Sequence, residues 1–388
     1  MVDNIEILPS ELKGEVIPPP SKSHLHRLLI AAALGERACG IQPVSDAADV
    51  ARTVDCLVNL GARIDIGKNA DGSERGYTVE PIRFFEGRKD PVLNCGESGS
   101  TLRFLLPVVG ALGCGGTFVG EGRLPSRPIA DLAACMRRGG CTVSDGFPLK
   151  VSGRLRPGNY TVAGGVSSQF ITGLLFALSL LDGDSYIQVI GDTVSRNYIE
   201  MTRSVLENFG KPVEVLGDGY KIGGRLGSGG ARPRVGGRYV AEADWSSAAF
   251  WLAAGALTGN VTVRQLDAQS PQGDKAIAGI LQSMGAQFSG HFSLSEPVTD
   301  CPSKENSPAK KEKSVRELLS GSQSNNAECR MQNAEWKDKN NAQCTMHNVQ
   351  LKDNAESAMR SAQIKEKSET VDCGLWTVDC ENTSQFSI

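Results

Sequence analysis

A helix-to-strand junction closed by glycine recurs four times along these 388 residues, and this recurrence most constrains the fold. It reads Leu57-Val58-Asn59-Leu60-Gly61-Ala62-Arg63-Ile64, then Met136-Arg137-Arg138-Gly139-Gly140-Cys141-Thr142-Val143. It returns as Leu206-Glu207-Asn208-Phe209-Gly210-Lys211-Pro212-Val213 and as Leu281-Gln282-Ser283-Met284-Gly285-Ala286-Gln287-Phe288. Aligned on Gly61, Gly140, Gly210 and Gly285, the copies stand 79, 70 and 75 residues apart. Glycine just past a helix end takes the left-handed conformation and turns the chain into a strand. Each copy holds a second helical run, such as Thr101 to Leu112, Gln169 to Leu181 and Ser246 to Leu257. Any α/β protein ends helices in glycine, but four copies at near-equal spacing point to a duplicated unit of strands layered with two helices.

From about Phe292 the pattern stops. A fifth glycine closure would fall near residue 360, where the chain reads Met359-Arg360-Ser361-Ala362-Gln363-Ile364-Lys365. The stretch beyond is rich in Ser, Asn, Gln, Lys and Glu, with Trp336, Trp376 and Phe386 as its aromatic residues. Such a composition buries too little apolar surface to offset chain entropy, so residues 292–388 read as a low-complexity, disordered tail. A weak amphipathic helix over 356–367 is the one element expected there.

A chain of this length supports two domains with cores of their own. Net charge −3 and pI near 5.9 give no overall pull toward nucleic acid or an anionic membrane, so basic residues must act locally in a pocket. The eleven cysteines form no CxxC pair, and none of the four histidines completes a zinc site. The start Met1-Val2-Asp3-Asn4 lacks the profile of a signal peptide, and apolar runs such as Leu174 to Leu181 are too short to span a bilayer. Reduced thiols in a cytoplasm are expected.

Four segments combine small, hydroxyl or cationic residues with the start of an apolar helix: Ser21-Lys22-Ser23 running to Arg27, Glu97-Ser98-Gly99-Ser100 running to Arg103, Arg127-Pro128, and Ser167-Ser168-Gln169. Helix starts expose unpaired N–H groups and partial positive charge, which suits phosphate and carboxylate. Together they point to a phosphorylated or carboxylated small molecule. Pro18-Pro19-Pro20 fixes an extended approach to the first, with Lys22 a point charge and Arg27 a fork for a carboxylate. Pro128 is expected at the first helical position, and Ser195-Arg196-Asn197-Tyr198 opens a further helix. Asp49 and Asp244, at helix starts, read as caps in preference to active-site carboxylates; Arg103 reads as tying its helix into the fold rather than touching substrate. His24 and His26 have no evident partner, and Cys95 and Cys114 read as packed thiols.

The strings PPPSKSHLHR, GESGSTLR, RPI, GGVSSQF, VSRNY, EADWSSAAFWLAAGA and QGD, in this order, resemble the 5-enolpyruvylshikimate-3-phosphate synthase family over residues 1 to about 290. The resemblance implies a two-domain enolpyruvyl transferase fold of repeated α/β units, akin to an inverted α/β barrel. Residues 1–20 would give a strand to the second domain, 21–237 would form the first domain of three units, and 238–291 would begin the second. The implied reaction transfers the enolpyruvyl group of phosphoenolpyruvate to the 5-hydroxyl of shikimate 3-phosphate and releases phosphate. It implies no metal, no organic cofactor, and a cytoplasmic monomer without nucleic-acid or membrane partners. By matching positions, Lys22 would touch both substrates and assist proton transfer. Ser23, Arg27, Ser167, Ser168, Gln169, Ser195 and Tyr198 would hold shikimate 3-phosphate, while Gly99, Arg127 and Gln169 would face phosphoenolpyruvate. Glu97 stands where many relatives carry Asn. The sister UDP-N-acetylglucosamine enolpyruvyl transferases fit less well, having Lys-Asn where this chain has Ser-Lys-Ser with a later Arg.

The family's Pro-Asp, Lys-Glu-Ser-Asp-Arg-like and His-Arg-x-Ala-Met-like runs, which would carry its acid/base carboxylate and further cations, do not occur after the QGD unit; where the base would fall the chain reads Lys313-Ser314-Val315-Arg316. Two readings stay open on sequence: an enzyme of impaired activity, or a truncated, non-catalytic remnant that binds shikimate 3-phosphate at most. A separate chain supplying the missing units is a third. A half-built second domain would expose sheet edges and apolar faces.

Overall fold

Glycine closure produces the same local geometry in all four copies. Gly61, Gly140, Gly210 and Gly285 take φ of 108°, 106°, 76° and 99°, the region where a side chain would be strained. At three of these ends the paired bonds of a Schellman motif are present. Gly61 N–H donates to Val58 O (2.9 Å) and Ala62 N–H to Leu57 O (3.0 Å); Gly210 and Lys211 repeat this on Glu207 and Leu206, and Gly285 and Ala286 on Gln282 and Leu281.

The computed structural model describes residues 10–68, 75–82, 90–224, 237–291 and 343–347. The chain begins with β1 (Lys13–Val16), α1 (Lys22–Ala33), β2 (Cys39–Gln42), α2 (Ala48–Asn59), β3 (Arg63–Lys68) and β4 (Arg75–Glu80). Next come β5 (Val92–Asn94), α3 (Gly99–Leu112), β6 (Gly116–Val119), α4 (Ala130–Arg138), β7 (Cys141–Val143) and β8 (Leu149–Gly153). A third copy is β9 (Asn159–Ala163), α5 (Ser168–Leu178), β10 (Ser185–Ile190), α6 (Arg196–Asn208), β11 (Val213–Leu216) and β12 (Gly219–Ile222). The last comprises β13 (Arg238–Val240), α7 (Trp245–Thr258), β14 (Asn260–Arg264), α8 (Ala276–Ser283), β15 (Gln287–His291) and β16 (Gln343–His347).

Among the described residues, four sheets of one topology result: β13-β2-β4-β3, β5-β6-β8-β7, β9-β10-β12-β11 and β1-β14-β16-β15. In each, the first pair is parallel and the other two are antiparallel. The first and last sheets borrow their outer strand from far along the chain. β13 lies parallel to β2, with Tyr239 opposite Ile41, and β1 lies parallel to β14, with Gly14 opposite Val261. Arg238–Val240 therefore belongs to the first sheet, three residues past the boundary expected after 237. Strand β16 comes from the stretch expected to be disordered, and at 343–347 that expectation is corrected. Its backbone pairs with β14 on one side and β15 on the other, filling the position that β4, β8 and β12 hold in their sheets. Residues 292–342 and 348–388, with the helix expected over 356–367, lie outside the described residues.

Helices divide into two kinds. α1, α3 and α5 are buried on nearly every side, and their rings and aliphatic chains pack together, as in the 6.3 Å approach of Phe104 and Phe176. α2, α4 and α6 bury one stripe and show the other face to solvent. One core runs through the first three copies; a smaller one around Trp245, Leu252, Val263 and Leu281 belongs to the fourth.

Two extended segments, 19–21 and 242–244, pair side by side. Pro20 bridges Ala243 antiparallel, Ser21 N–H donates to Glu242 O at 2.7 Å, and Asp244 N–H donates to Pro19 O at 2.9 Å.

Candidate active site

The three buried helices begin on serine. Ser21 Oγ accepts from His24 N–H, Ser98 Oγ from Thr101 N–H, and Ser167 Oγ from Gln169 N–H. None of the three has an acidic residue in its own first turn, so no carboxylate of the same helix offsets the partial positive charge at its start.

Side-chain contacts tie these starts to one another. Lys22, exposed in the first turn of α1, donates from Nζ to Asp49 Oδ2 at 2.9 Å, in the first turn of α2. Asp49 is thus the ion-pair partner of Lys22 rather than a cap; the residue before α2 is Ala47, which makes no side-chain capping bond. Asp244 does cap α7, accepting from Ser246 N–H and from Ser247 Oγ. The Asp49 carbonyl is 3.3 Å from Thr101 Oγ1, and Thr101 Oγ1 donates to the α3 cap Ser98 at 2.7 Å. Gln169, at the start of α5, donates from Nε2 to Ser100 Oγ at 3.0 Å and accepts on Oε1 from Arg103 Nη1 at 2.8 Å.

Arg103 also donates to Pro128 O at 2.9 Å, so one buried guanidinium holds both Gln169 and the segment bearing Arg127. Burial first, and then repulsion by Arg127, lowers the Arg103 pKa. Pro128 does not start a helix: α4 begins at Ala130 on Ile129, and Arg127 is extended after a short 3-10 turn. The bond from Arg103 pins the Pro128 carbonyl outside the helix. Arg127 is exposed, and its guanidinium lies against Gly99, where a Cβ would stand 2.7 Å from Nη1. Glycine at the first position of α3 lets that cation approach the helix start.

Arg27 is buried, with its charge held by neighbours. It donates from Nε to Thr202 Oγ1 (2.9 Å), from Nη1 to Ser23 O (2.6 Å) and from Nη2 to Tyr198 O (3.0 Å), and its carbon stands 5.0 Å from the Phe104 ring centroid. Burial pulls its pKa down to about 9, with Tyr198 opposing the shift. Ser23 and Tyr198 are both half-buried, and Arg27 brings them together across α1 and α6. The Tyr198 phenol is pushed up to about 12, by burial and then by Asp274, which approaches with Asp244 from the fourth copy. Ser195, ahead of α6, is exposed and left-handed at φ 53°, with no side-chain capping bond. Ser168 is buried and Ser167 half-buried at their helix start.

Among the expected residues, two groups form: Lys22, Ser23, Arg27 and Tyr198 around α1 and α6, and Gly99, Arg127 and Gln169 around α3 and α5. Asp49 and Thr101 bridge them. Neither histidine lacks a partner: His24 Nδ1 accepts from Glu242 N–H at 3.2 Å, and His26 Nδ1 meets Thr53 Oγ1 at 2.7 Å. The contacts of Asp49 with Lys22, of Thr101 with Asp49 and of Ser100 with Gln169 were not legible in the sequence, because a lone carboxylate or hydroxyl at a helix start looks like capping. Cys95 is buried and Cys114 half-buried. Among the described residues no cluster of His, Cys, Asp and Glu could hold a metal ion, and no helix is long and apolar enough to cross a membrane.

A family model described as EPSP synthase (3-phosphoshikimate 1-carboxyvinyltransferase) matches residues 8–316, past the limit near 290 of the motif resemblance. The 3-phosphoshikimate 1-carboxyvinyltransferase of Clostridium novyi (strain NT) is 38% identical over 292 residues, covering 74% of this chain and 66% of the relative. That of Clostridium kluyveri is 38% identical over 293 residues, 73% of this chain and 65% of the relative. The chain thus spans slightly less than two thirds of the length of these curated relatives. Among solved structures, an EPSP synthase from Acinetobacter baumannii superposes with a TM-score of 0.59 at 23% identity, covering 74% of this chain and 62% of that one, a likeness of fold.

Proposed function

Because this chain belongs to the EPSP synthase family, we propose that its described site is the first-domain half of a centre for enolpyruvyl transfer from phosphoenolpyruvate to shikimate 3-phosphate. The observation that carries the reading is the junction of helix starts: Lys22 on α1 paired with Asp49 on α2, and Gly99 with Arg127 at the start of α3. In this reading Ser23, Arg27, Ser167, Ser168, Gln169, Ser195 and Tyr198 hold shikimate 3-phosphate. Lys22, Gly99, Arg127 and Gln169 hold phosphoenolpyruvate.

The chemistry needs anions held close to a carbon that becomes cationic. The 5-hydroxyl oxygen bonds to carbon 2 of phosphoenolpyruvate as the methylene gains a proton and the hydroxyl loses its own. The tetrahedral adduct then loses phosphate and a proton from the new methyl group, leaving the enol ether. Lys22 serves proton transfer, with Asp49 fixing its position; the helix starts and Arg127 neutralise the phosphate and carboxylate without contributing a nucleophile. No metal or cofactor enters, and the setting is the cytoplasm.

The base that removes the methyl proton is not supplied by any family motif in this sequence. Turnover by the chain alone is therefore reduced by at least ~10²–10⁴-fold. A second reading, a non-catalytic binder of shikimate 3-phosphate, is favoured by that same missing base. Purified chain is mixed with both substrates and phosphate release is followed, with Lys22→Ala as control, while calorimetry reads shikimate 3-phosphate binding. Slow release abolished by the substitution supports the enzyme. Binding without release supports the binder, and neither refutes both.

A further inference from the structure

His26 lies fully buried on α1, and its Nε2 is the one buried side-chain nitrogen or oxygen without a partner among the described residues. Leaving a buried polar atom unpaired costs stability, so a compensating role has to lie with the ring's other nitrogen. Nδ1 begins a chain of short bonds that crosses three helices. It meets Thr53 Oγ1 on α2 at 2.7 Å, and Thr53 Oγ1 meets Thr101 Oγ1 on α3 at 2.7 Å. Thr101 Oγ1 donates to the cap Ser98 at 2.7 Å and stands 3.3 Å from the Asp49 carbonyl, which can only accept. Thr53, Thr101 and Ser98 are all buried, so solvent does not compete for these bonds.

Hydrogen counting fixes the direction of this chain. A threonine hydroxyl has a single hydrogen, and that of Thr101 is given to Ser98 and the Asp49 carbonyl. Toward Thr53, Thr101 must therefore accept, which uses the single hydrogen of Thr53. Thr53 must in turn accept from His26, and only an Nδ1–H can donate there. Burial keeps the ring neutral, with its pKa down at about 3, so Nε2 carries no proton. A bare lone pair is a milder defect at a buried position than an orphaned N–H. We propose that His26 is a positioning residue: as its Nδ1–H tautomer it orients the hydroxyls of Thr53 and Thr101, and so sets the starts of α2 and α3, where Lys22 with Asp49 and Gly99 with Arg127 receive the anionic substrates. The opposite tautomer would turn both hydroxyl hydrogens toward α1 and deprive Ser98 and the Asp49 carbonyl of them. Asp49 ends the chain with its carbonyl and pairs with Lys22 through its carboxylate, so the buried ring is coupled to that ion pair. The substrate part of this inference rests on the proposed reading of the site; the tautomer and the helix starts do not.

The full 388-residue chain is isotope-labelled at its histidine nitrogens and read by NMR, His26 being identified by the signals lost in His26→Asn. Protonated Nδ1 and bare Nε2 are expected, and an Nε2–H tautomer overturns the proposal. His26→Leu and His26→Asn are then compared, since the Asn amide nitrogen, like Nδ1, is bonded to Cγ and can donate to Thr53. The Thr101 N–H, which donates to Ser98 Oγ, reports on the start of α3. His26→Leu should speed its exchange about 10-fold, as loss of one buried hydrogen bond does. It should weaken phosphoenolpyruvate binding by a similar factor, read by calorimetry with shikimate 3-phosphate present. His26→Asn should restore both. A packing role alone would leave His26→Asn as damaging as His26→Leu, and that result overturns the proposal, as does a His26→Leu chain that behaves like the parent. Should His26→Leu fail to fold, the tautomer and parent-like exchange at Thr101 in His26→Asn decide. A parent chain that binds neither substrate refutes the proposed reading of the site, while the tautomer and the exchange at Thr101 still decide the role of His26.

Discussion

His26 lies fully buried between α1 and α2, and acid forces a choice on it. Its Nδ1 meets Thr53 Oγ1 at 2.7 Å, its Nε2 has no partner, and the Phe104 ring stands edge-on at 6.4 Å between centroids. Burial, the dominant cause, holds the imidazole pKa down from 6.5 to about 3; Asp49 opposes this, while Arg27 and Lys22 add to it. The folded state therefore refuses a proton that the unfolded chain accepts below about pH 6.5. Stability from this group is complete above that pH and is lost progressively as the pH falls toward 3. At about pH 5 the gap from the unfolded value is about 1.5 units, or ~2 kcal/mol. Urea unfolding at about pH 7.5 and about pH 5 would be compared for the parent chain and His26→Gln. The amide can still bond Thr53 but does not titrate. The parent should lose ~2 kcal/mol more than the variant between the two pH values, since His24 and every other group titrate alike in both. Equal losses would refute the reasoning.

The same network predicts two further outcomes. Thr53 stands between His26 and Thr101, with Oγ1–Oγ1 2.7 Å to the latter, so Thr53→Val should cost about 2–4 kcal/mol and Thr101→Val about 1–3. Denaturant unfolding of the double variant should show less than the sum; simple additivity would mean the hydroxyls are not coupled. Gly99→Ala should leave the melting temperature nearly unchanged, because the atom it meets is the mobile end of exposed Arg127. It should weaken phosphoenolpyruvate binding about 10- to 100-fold by displacing that charge, and unchanged affinity by calorimetry would remove Arg127 from the site.

Local signals were readable where local bonds enforce them. Three of the four glycines, Gly61, Gly210 and Gly285, end helices because their own N–H and that of the next residue return to the last turn, a pattern contained within six residues. Serine before an apolar run capped α1, α3 and α5 for the same reason. Arg127-Pro128 misled, since proline preorganises a first helical turn but a distant guanidinium held its carbonyl elsewhere. Asp49 misled too: its partner Lys22 lies 27 residues away, and no spacing rule joins them.

By itself, then, the sequence determined a repeated α/β unit, its helix ends, and the helix starts suited to anions. These follow from periodicity and capping, which act within a few residues. Tertiary structure alone decided that β1 pairs with β14 and β13 with β2, across some two hundred residues, and that Lys22 faces Asp49. It also decided that Phe250 stands in solvent while Phe104, at the same place in its own unit, is buried. Such outcomes depend on which surfaces meet, and burial is a property of the neighbours rather than of the residue.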